Sequence, residues 1–314
     1  MRKGSAYRQS PSHWSDDKRK AANDGGARYC RYTSADEEGS IVKDQAEKGR
    51  DFRALHEQAR AFVIPNPWDI GSARLLEALG FRALATTSFG FALSQGQRDG
   101  NPGRDAVLAH GAALAHATDL PVSADLENGF GDTPEDAAET IRRAAAAGLV
   151  GGSIEDFTGR ADEPLYEIAR AADRVRAAAE AARKTGVSFV LTARAENFFR
   201  GRPDLADTIR RLQAYQEAGA DVLYAPSLKT REQIATVLRE VDRPINVLVG
   251  RGLGLSVAEL SDLGVRRISL GGLLAQVAFD ALVTAGREMQ GAGTFGFADR
   301  IDRANLGPLL DRLR

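Results

Sequence analysis

The sequence has 314 residues, of which 43% are hydrophobic and 27% are charged, with 42 Lys and Arg against 43 Asp and Glu. The net charge of −1 excludes the strong positive field that recruits nucleic acid or an anionic membrane surface. The single cysteine, Cys30, excludes a disulfide framework and a cysteine-rich zinc site. Neither a membrane-spanning run of about 18 apolar residues nor a signal-peptide core is present, so we expect a cytoplasmic protein.

The N-terminal residues differ in composition from the rest of the chain. Residues 1–50 contain no Leu and no Phe, and they carry 11 basic and 8 acidic side chains. Such a segment buries too little apolar surface to offset the entropy lost on ordering. We therefore predict a polar, disordered arm over residues 1–51, whose deletion leaves the fold unchanged. A non-native leader after a wrongly assigned start codon fits the same composition.

Residues 52–314 are predicted to form one catalytic domain, because eight units of strand followed by helix can be counted along them. The predicted strands are residues 62–64, 82–87, 121–125, 149–154, 187–193, 221–225, 244–249 and 266–270. Helices are predicted over residues 134–147, 164–184 and 204–218, among others. Regular alternation favours a parallel sheet, and eight units favour a closed (β/α)8 barrel. An open, doubly wound sheet is the alternative, although the first strand lacks the glycine-rich turn typical of that fold.

Acidic side chains are predicted to gather where strands two to five end. They are Asp99, Asp125, Glu127, Glu155, Asp156 and Glu196, with Arg194 among them. Because the active sites of such barrels lie at the C-terminal ends of the strands, we expect these side chains to share one site. Carboxylates at this density repel one another unless a cation or protons neutralise them.

Three of these carboxylates have the spacing of a metal site. Asp125 and Glu127 lie two residues apart in a segment predicted to be extended, which directs both side chains to one side. Glu155 ends the next strand. Three carboxylates with room for water suit Mg²⁺, or Mn²⁺, better than zinc, which prefers His or Cys. None of the four His residues is predicted at a strand end, so we expect them in packing or on the surface.

Several short motifs occur in a fixed order between residues 53 and 290. They are Pro-Asn-Pro-Trp-Asp at 65–69, Ser-Ala-Arg at 72–74, Gly-Gln-Arg-Asp at 96–99, Asp-Leu-Glu-Asn-Gly-Phe-Gly at 125–131, Ile-Glu-Asp at 154–156, Ala-Arg at 193–194 and Glu-Ala-Gly-Ala-Asp at 217–221. In these motifs the chain resembles the isocitrate lyase/phosphoenolpyruvate mutase superfamily. The acidic motif at 125–131 and the Glu-Asp pair are the most specific of them.

The resemblance implies a (β/α)8 TIM barrel. In many members of the superfamily the last helix is swapped between subunits, so the resemblance also allows such a swap here. It also implies Mg²⁺ and a 2-oxo or 2-hydroxy acid as ligands. Asp125, Glu127 and Glu155 would hold the metal directly or through water, with Asp99 behind them. A metal that chelates the carboxylate and C2 oxygen of such an acid stabilises the enolate formed when a bond at C3 breaks.

The resemblance also implies substrate contacts. Arg194 and the backbone and hydroxyl groups around Thr87 and Ser88 would grip the substrate's carboxylate and oxygen, because a guanidinium offers a planar fork to a carboxylate. We further expect Glu196 to bind substrate. The predicted catalytic residues are Asp99, Arg194 and Thr158.

The loop after strand four departs from the family pattern. Lyases of the family carry a Lys-Lys-Cys-Gly-His type of loop there, whose Cys is a general acid or base, whereas residues 157–164 read Phe-Thr-Gly-Arg-Ala-Asp-Glu-Pro. Only Thr158 and Arg160 resemble the loop of the phosphonate-acting members. Near the end of strand six, where the mutases have a His, this chain has Ala225 followed by Pro226. The reactions of isocitrate and methylisocitrate lyases are therefore not expected.

The sequence thus predicts a Mg²⁺-dependent carbon–carbon lyase or decarboxylase that acts on a small 2-oxo or 2-hydroxy di- or tricarboxylic acid through a metal-stabilised enolate. Phosphorus–carbon chemistry, as in a phosphonopyruvate-type mutase or hydrolase, is one alternative. A non-catalytic metabolite-binding barrel is the other. We expect a homo-oligomer, dimer or tetramer, and no nucleic acid or membrane partner.

Overall fold

The computed structural model describes residues 43–313, so the predicted arm lies largely outside the described residues. Eight parallel strands form the centre of the described chain. They are β1 (Phe62–Ile64), β2 (Leu84–Ala85), β3 (Val122–Asp125), β4 (Gly151–Glu155), β5 (Val190–Arg194), β6 (Val222–Tyr224), β7 (Ile245–Leu248) and β8 (Arg267–Ser269). Each strand overlaps a predicted segment, so the eight strand predictions are confirmed.

The strands follow one another around a barrel in the order β1, β8, β7, β6, β5, β4, β3, β2. The gap between β1 and β2 is closed by Ala85 N, which donates to Pro65 O at 3.1 Å. The Asn66 side chain reinforces the seam, because its Nδ2 donates to Ala85 O and its Oδ1 accepts from the Leu270 amide at 2.9 Å. The predicted (β/α)8 TIM barrel is confirmed.

Helices alternate with the strands and cover the outside of the barrel. They are α1 (Gln45–Glu57), α2 (Ile70–Ala78), α3 (Ser88–Ser94), α4 (Arg104–Ala117), α5 (Pro134–Ala146), α6 (Ile168–Arg183), α7 (Leu205–Glu217), α8 (Arg231–Glu240), α9 (Val257–Leu263), α10 (Leu273–Gly291) and α11 (Arg303–Leu310), with a 3-10 turn at Gly296–Arg300. Among the described helices, none combines the length and apolarity needed to cross a membrane.

Local sequence signals set the helix ends. Thr133 accepts a hydrogen bond from Asp136 N, and Pro134 occupies the first turn of α5, where its missing N–H costs nothing. Gly264 ends α9 with φ of 106°, a left-handed conformation that is strained for any residue with a Cβ. The helices predicted to begin at residues 134 and 204 begin at Pro134 and Leu205, so both predicted starts are confirmed to within one residue.

The first helix packs on the barrel, and this changes the predicted domain boundary. α1 begins at Gln45, ahead of the boundary predicted after residue 51. The buried Lys48 ammonium donates to Ala115 O at 3.2 Å and Thr118 O at 2.6 Å, at the C-terminal end of α4. Residues 45–51 therefore belong to the folded domain. The arm stays a prediction for residues 1–42.

An aromatic cluster lies between α1 and the strands. Phe52 is fully buried, and its ring meets His56 edge-on with a centroid distance of 4.8 Å. His56 in turn meets Phe62 of β1 at 5.0 Å. The His56 Nδ1 lies 2.8 Å from Phe52 O, which accounts for one ring nitrogen of a neutral imidazole. The prediction that His56 serves in packing is confirmed.

The last long helix is mostly exposed. Only Ala275 of the residues of α10 is buried, whereas Val277 and Leu282 are 61% and 64% exposed. A helix with this much apolar surface in water loses the stabilisation that burial supplies. The predicted exchange of this helix between subunits stays a prediction.

Candidate active site

A cavity of about 500 Å³ opens where the strands end, a size typical of small-molecule sites. Of the residues predicted for the site, those that line the cavity are Thr87, Ser88, Asp99, Asp125, Glu127, Glu155 and Arg194. Glu196 and Thr158 are not among the lining residues. The β-strands place three of these side chains, since Asp125, Glu155 and Arg194 are the last residues of β3, β4 and β5.

Asp125 is held by the backbone and hydroxyl groups of its neighbours. Its amide donates to Thr86 Oγ1 at 2.9 Å, and its Oδ2 accepts from Ser88 N at 3.3 Å. Its Oδ1 lies 3.5 Å from the Ser153 hydroxyl and 3.7 Å from Arg194 Nη1. Asp125 is therefore oriented between strands β2, β4 and β5.

The backbone conformation at Glu127 differs from the predicted one. The extended segment ends at Asp125, and Glu127 adopts a left-handed φ of 49°, so the prediction of an extended Asp125–Glu127 pair is wrong. Its Oε1 is buried and has no hydrogen-bond partner among residues 43–313. Burial, together with the charges of Asp125 and Asp99, raises the pKa of Glu127 to about 8.

Arg194 links the carboxylates of three strand ends. Its Nη1 lies 3.2 Å from Glu155, and its Nε donates to Glu196, which is fully buried. Burial raises the pKa of Glu155 well above its usual range, although the Arg194 guanidinium opposes the shift. The site thus contains more carboxylate than cation, as the sequence indicated.

Glu196 lies behind two arginines. It contacts Arg194 and also accepts from Arg200 Nε at 3.0 Å, and its amide donates to Asp156 Oδ1 at 2.8 Å. Because it is 0% exposed, it does not meet a molecule in the cavity. Glu196 thus contacts the arginines, and its predicted contact with substrate stays a prediction.

Sequence reasoning missed Arg200. Its guanidinium lies 3.4 Å from the centre of the Phe157 ring and its Nη2 lies 3.5 Å from Glu155 Oε1. It lines the cavity together with Phe157 and Phe199. The spacing of Glu196 and Arg200, four residues apart, was the available signal, since such pairs meet on one face of a helical turn.

Asp156 has a supporting role. Its Oδ2 accepts from Tyr215 Oη at 2.5 Å and lies 3.0 Å from Arg211 Nη1. Burial raises its pKa, and Arg211 opposes that shift. These contacts fix the backbone of Glu196 and hence the position of Arg194.

Thr87, Ser88 and Asp99 line the cavity from the segment between β2 and α4. Thr87 is the N-cap residue of α3, and its side chain accepts from Gly90 N at 3.3 Å, which leaves its hydroxyl proton for another acceptor. The Ser88 side chain hydrogen-bonds to Asp99, whereas burial raises the pKa of that carboxyl and Asp125 adds to the shift. The predicted grouping of these three residues beside Asp125 agrees with their positions.

Thr158 lies in a loop that folds back on itself. Its hydroxyl donates to Glu163 O at 2.5 Å, and its amide donates to Pro164 O at 2.9 Å. Arg160 anchors the same loop to Asp132 at 3.1 Å. The hydroxyl proton of Thr158 is thus used within the loop, and its predicted catalytic role stays a prediction.

The described part of the chain contains no ready-made cluster of three His, Cys, Asp or Glu ligands around a metal position. Asp125 and Glu155 instead share Arg194 Nη1. The donors nevertheless fit Mg²⁺ or Mn²⁺, which take carboxylate oxygen and water. The unpartnered Oε1 of Glu127 supports this fit, since a buried oxygen without a partner costs free energy until a cation or proton meets it.

Comparison with known proteins shows the family. The family model for phosphoenolpyruvate phosphomutase matches residues 52–290. A solved structure from Burkholderia cenocepacia J2315, named only as a candidate lyase/mutase, has a TM-score of 0.80 and 56% identity over 82% of this chain and 92% of that chain.

Two curated relatives agree with this result. An uncharacterized protein of Mycobacterium tuberculosis is 36% identical over 70% of this chain and 81% of its own length. The 2-methylisocitrate lyase of Escherichia coli K12 is 31% identical over 57% of this chain and 62% of its own length. The chain therefore belongs to the phosphoenolpyruvate phosphomutase family, within the isocitrate lyase/phosphoenolpyruvate mutase superfamily.

Proposed function

We propose that this protein cleaves a carbon–carbon bond of a small 2-oxo or 2-hydroxy di- or tricarboxylic acid in a Mg²⁺-dependent reaction, as a lyase or decarboxylase. The observation that carries this proposal is that one cavity is lined by Asp125, Glu127, Glu155 and Arg194. Hard oxygen donors for a divalent cation thus stand beside a guanidinium suited to a carboxylate.

The metal would be held by Asp125, Glu127 and Glu155, directly or through water. Bound Mg²⁺ supplies Lewis acidity that stabilises negative charge developing on the substrate's C2 oxygen. Asp99 contributes further negative charge near these ligands and is oriented by the Ser88 side chain. Mn²⁺ fits the same donors.

Arg194 would orient the substrate's carboxylate. The Nη1 group is already within reach of Asp125 and Glu155, so a cation that takes over these carboxylates frees the guanidinium for the substrate. Thr87 adds a hydroxyl to the lining of the cavity. Polar groups held by strand ends and by buried partners stay in place during the reaction, which lowers the cost of reorganisation.

The acid and base of the reaction differ from those of the isocitrate lyase type. Among the described residues, no Cys or His lines the cavity. Proton transfer then falls to oxygen groups or to water. Tyr224 is one such group, and burial raises its pKa to about 12, so it stays protonated at neutral pH.

Activity of the purified full-length chain tests the proposal. We expect Mg²⁺-dependent cleavage of at least one of oxaloacetate and dimethylmalate, followed as release of CO₂ or of a 2-oxo acid, and none with Asp125→Ala. Turnover of phosphonopyruvate alone would replace the proposal with the phosphorus–carbon alternative. Binding of these acids without turnover of any would support a metabolite-binding barrel instead.

We also propose that the chain forms a homo-oligomer in which a second copy covers α10. The apolar residues Val277, Leu282 and Val283 are exposed on this helix, which is an unfavourable arrangement for an isolated chain. Light scattering is expected to give a dimer or tetramer for the wild type and a smaller species for Leu282→Glu. A monomeric wild-type protein would contradict this assignment.

A further inference from the structure

Arg267 is a buried guanidinium that borders the same cavity. Arg267 is the first residue of β8 and is 6% exposed. Its Nε donates to Asn246 Oδ1 at 2.9 Å, and its Nη2 donates to Thr192 Oγ1 at 2.9 Å. Its Nη1 lies 3.5 Å from His56 Nε2. All three partners are uncharged groups.

The charge of Arg267 lacks a carboxylate partner within the described residues. Burial lowers its pKa to about 10, and only Tyr224 opposes the shift. His56 is a neutral neighbour, because burial and the nearby Arg267 lower its pKa to about 3. By contrast, Arg194 and Arg200 each contact two or more carboxylates. A buried ion without a counter-ion is strongly destabilising, so an anion at Arg267 would relieve this cost.

Arg267 still has hydrogen-bond donors to offer. A guanidinium carries five N–H groups, and the three contacts above use one each. Asn246, which accepts from Arg267 Nε, donates through its Nδ2 to Ser269 Oγ at 2.9 Å, and both residues line the cavity. The wall near Arg267 is therefore polar.

The position of Arg267 separates it from the metal-binding carboxylates. Asp125, Glu155 and Arg194 are the last residues of their strands, whereas Arg267 is the first residue of β8. Strands run from the base of the barrel to the active-site end, so the cavity has an outer part near the acids and an inner part at Arg267.

We propose that Arg267 forms an inner anion subsite that binds a second carboxylate of the substrate, one that the reaction retains. This inference rests on the proposed function, because the outer carboxylates must hold the 2-oxo or 2-hydroxy acid end. A guanidinium stabilises the ionised carboxylate and so disfavours its loss as CO₂. The bond that breaks then lies elsewhere in the carbon skeleton, and the substrate has at least two carboxylates.

Binding of three small acids in the presence of Mg²⁺ tests the subsite by calorimetry. Oxalate probes the outer site alone, lactate has the 2-hydroxy acid end with one carboxylate, and malate adds a second carboxylate. We expect the wild-type chain to bind malate about tenfold or more tighter than lactate, as one charge-assisted hydrogen-bonded contact allows. In Arg267→Met this preference should fall to within about threefold, while oxalate affinity is unchanged.

Arg251→Met is the matched control, because Arg251 is an exposed arginine that also borders the cavity. It should keep the preference for malate. Equal wild-type affinities for malate and lactate, or an unchanged preference in Arg267→Met, would overturn the subsite. If Arg267→Met does not fold, Arg267→Lys, which keeps the charge but not the fork, should still lower the preference. Failure of oxalate to bind the wild type would instead refute the proposed function, and the subsite with it.

Discussion

Replacing Arg194 by Lys tests whether this arginine binds substrate or only neutralises buried carboxylates. The guanidinium lies 3.2 Å from Glu155 and 3.7 Å from Asp125, and its Nε contacts Glu196, so one group serves three carboxylates. Lys keeps the positive charge, but a single ammonium cannot reproduce the planar fork. The two roles therefore predict different ratios of lost stability to lost turnover.

The expected magnitudes follow from these contacts. Loss of one hydrogen bond to a charged group costs about 1.5–3 kcal/mol, which lowers Tm by roughly 3–12 °C in a domain of this size. Arg194→Met leaves Glu155 and Glu196 with Arg200 as their remaining cation and should cost about 3–5 kcal/mol. If Arg194 also holds the substrate's carboxylate, the Lys variant loses about ten- to hundredfold in kcat/KM in addition.

Thermal denaturation and steady-state kinetics at saturating Mg²⁺ measure both quantities. Arg53→Lys is the control, since Arg53 is a partly buried counter-ion of Asp221 at 2.9 Å and does not line the cavity. It should lower Tm by a similar amount and leave kcat/KM close to that of the wild type. Near-normal kcat/KM in Arg194→Lys, with a loss of Tm equal to that of the control, would refute the substrate-binding role.

Three further results are expected. Asp125→Ala should remove Mg²⁺ binding, measured by calorimetry, without lowering Tm, and retained Mg²⁺ binding would exclude Asp125 as a ligand. The control Asp105→Ala changes a side chain that is 87% exposed and should bind Mg²⁺ normally. Deletion of residues 1–50 should lower the free energy of unfolding by about 3 kcal/mol or more, because it removes both hydrogen bonds of Lys48. Deletion of residues 1–42 leaves these bonds in place. Equal Tm values for the two deletions would show that Lys48 contributes nothing. The folded-state pKa of His56, about 3, lies below its unfolded value of 6.5, so protonation favours the unfolded state. This destabilisation is absent above pH 6.5 and grows as pH falls towards 3, by up to about 1.4 kcal/mol per pH unit. Between pH 7 and pH 5 the wild type should therefore lose more stability than His56→Gln, and parallel losses would contradict the shift.

The sequence by itself determined the barrel, because its signals are local. Short apolar runs alternate with amphipathic stretches, and caps such as Thr133 and Gly264 mark where helices begin and end. Strand order and closure then follow from the way parallel strands and helices pack. The same reasoning placed Asp125, Glu155 and Arg194 in one cavity, since all three end neighbouring strands.

The tertiary structure alone decided the rest, because the deciding contacts join residues far apart in the chain. Lys48 appeared to belong to a polar arm, but its partner carbonyls lie 67 and 70 residues away at the end of α4. Glu196 appeared free to bind substrate, yet two arginines and the side chain of Asp156 surround it. Arg267 looked like an ordinary strand residue, and only the closed barrel brings it to Thr192, 75 residues away, and to the cavity. Periodicity reports which face of an element is apolar, whereas the partner of a buried charge depends on strands that meet only when the barrel closes.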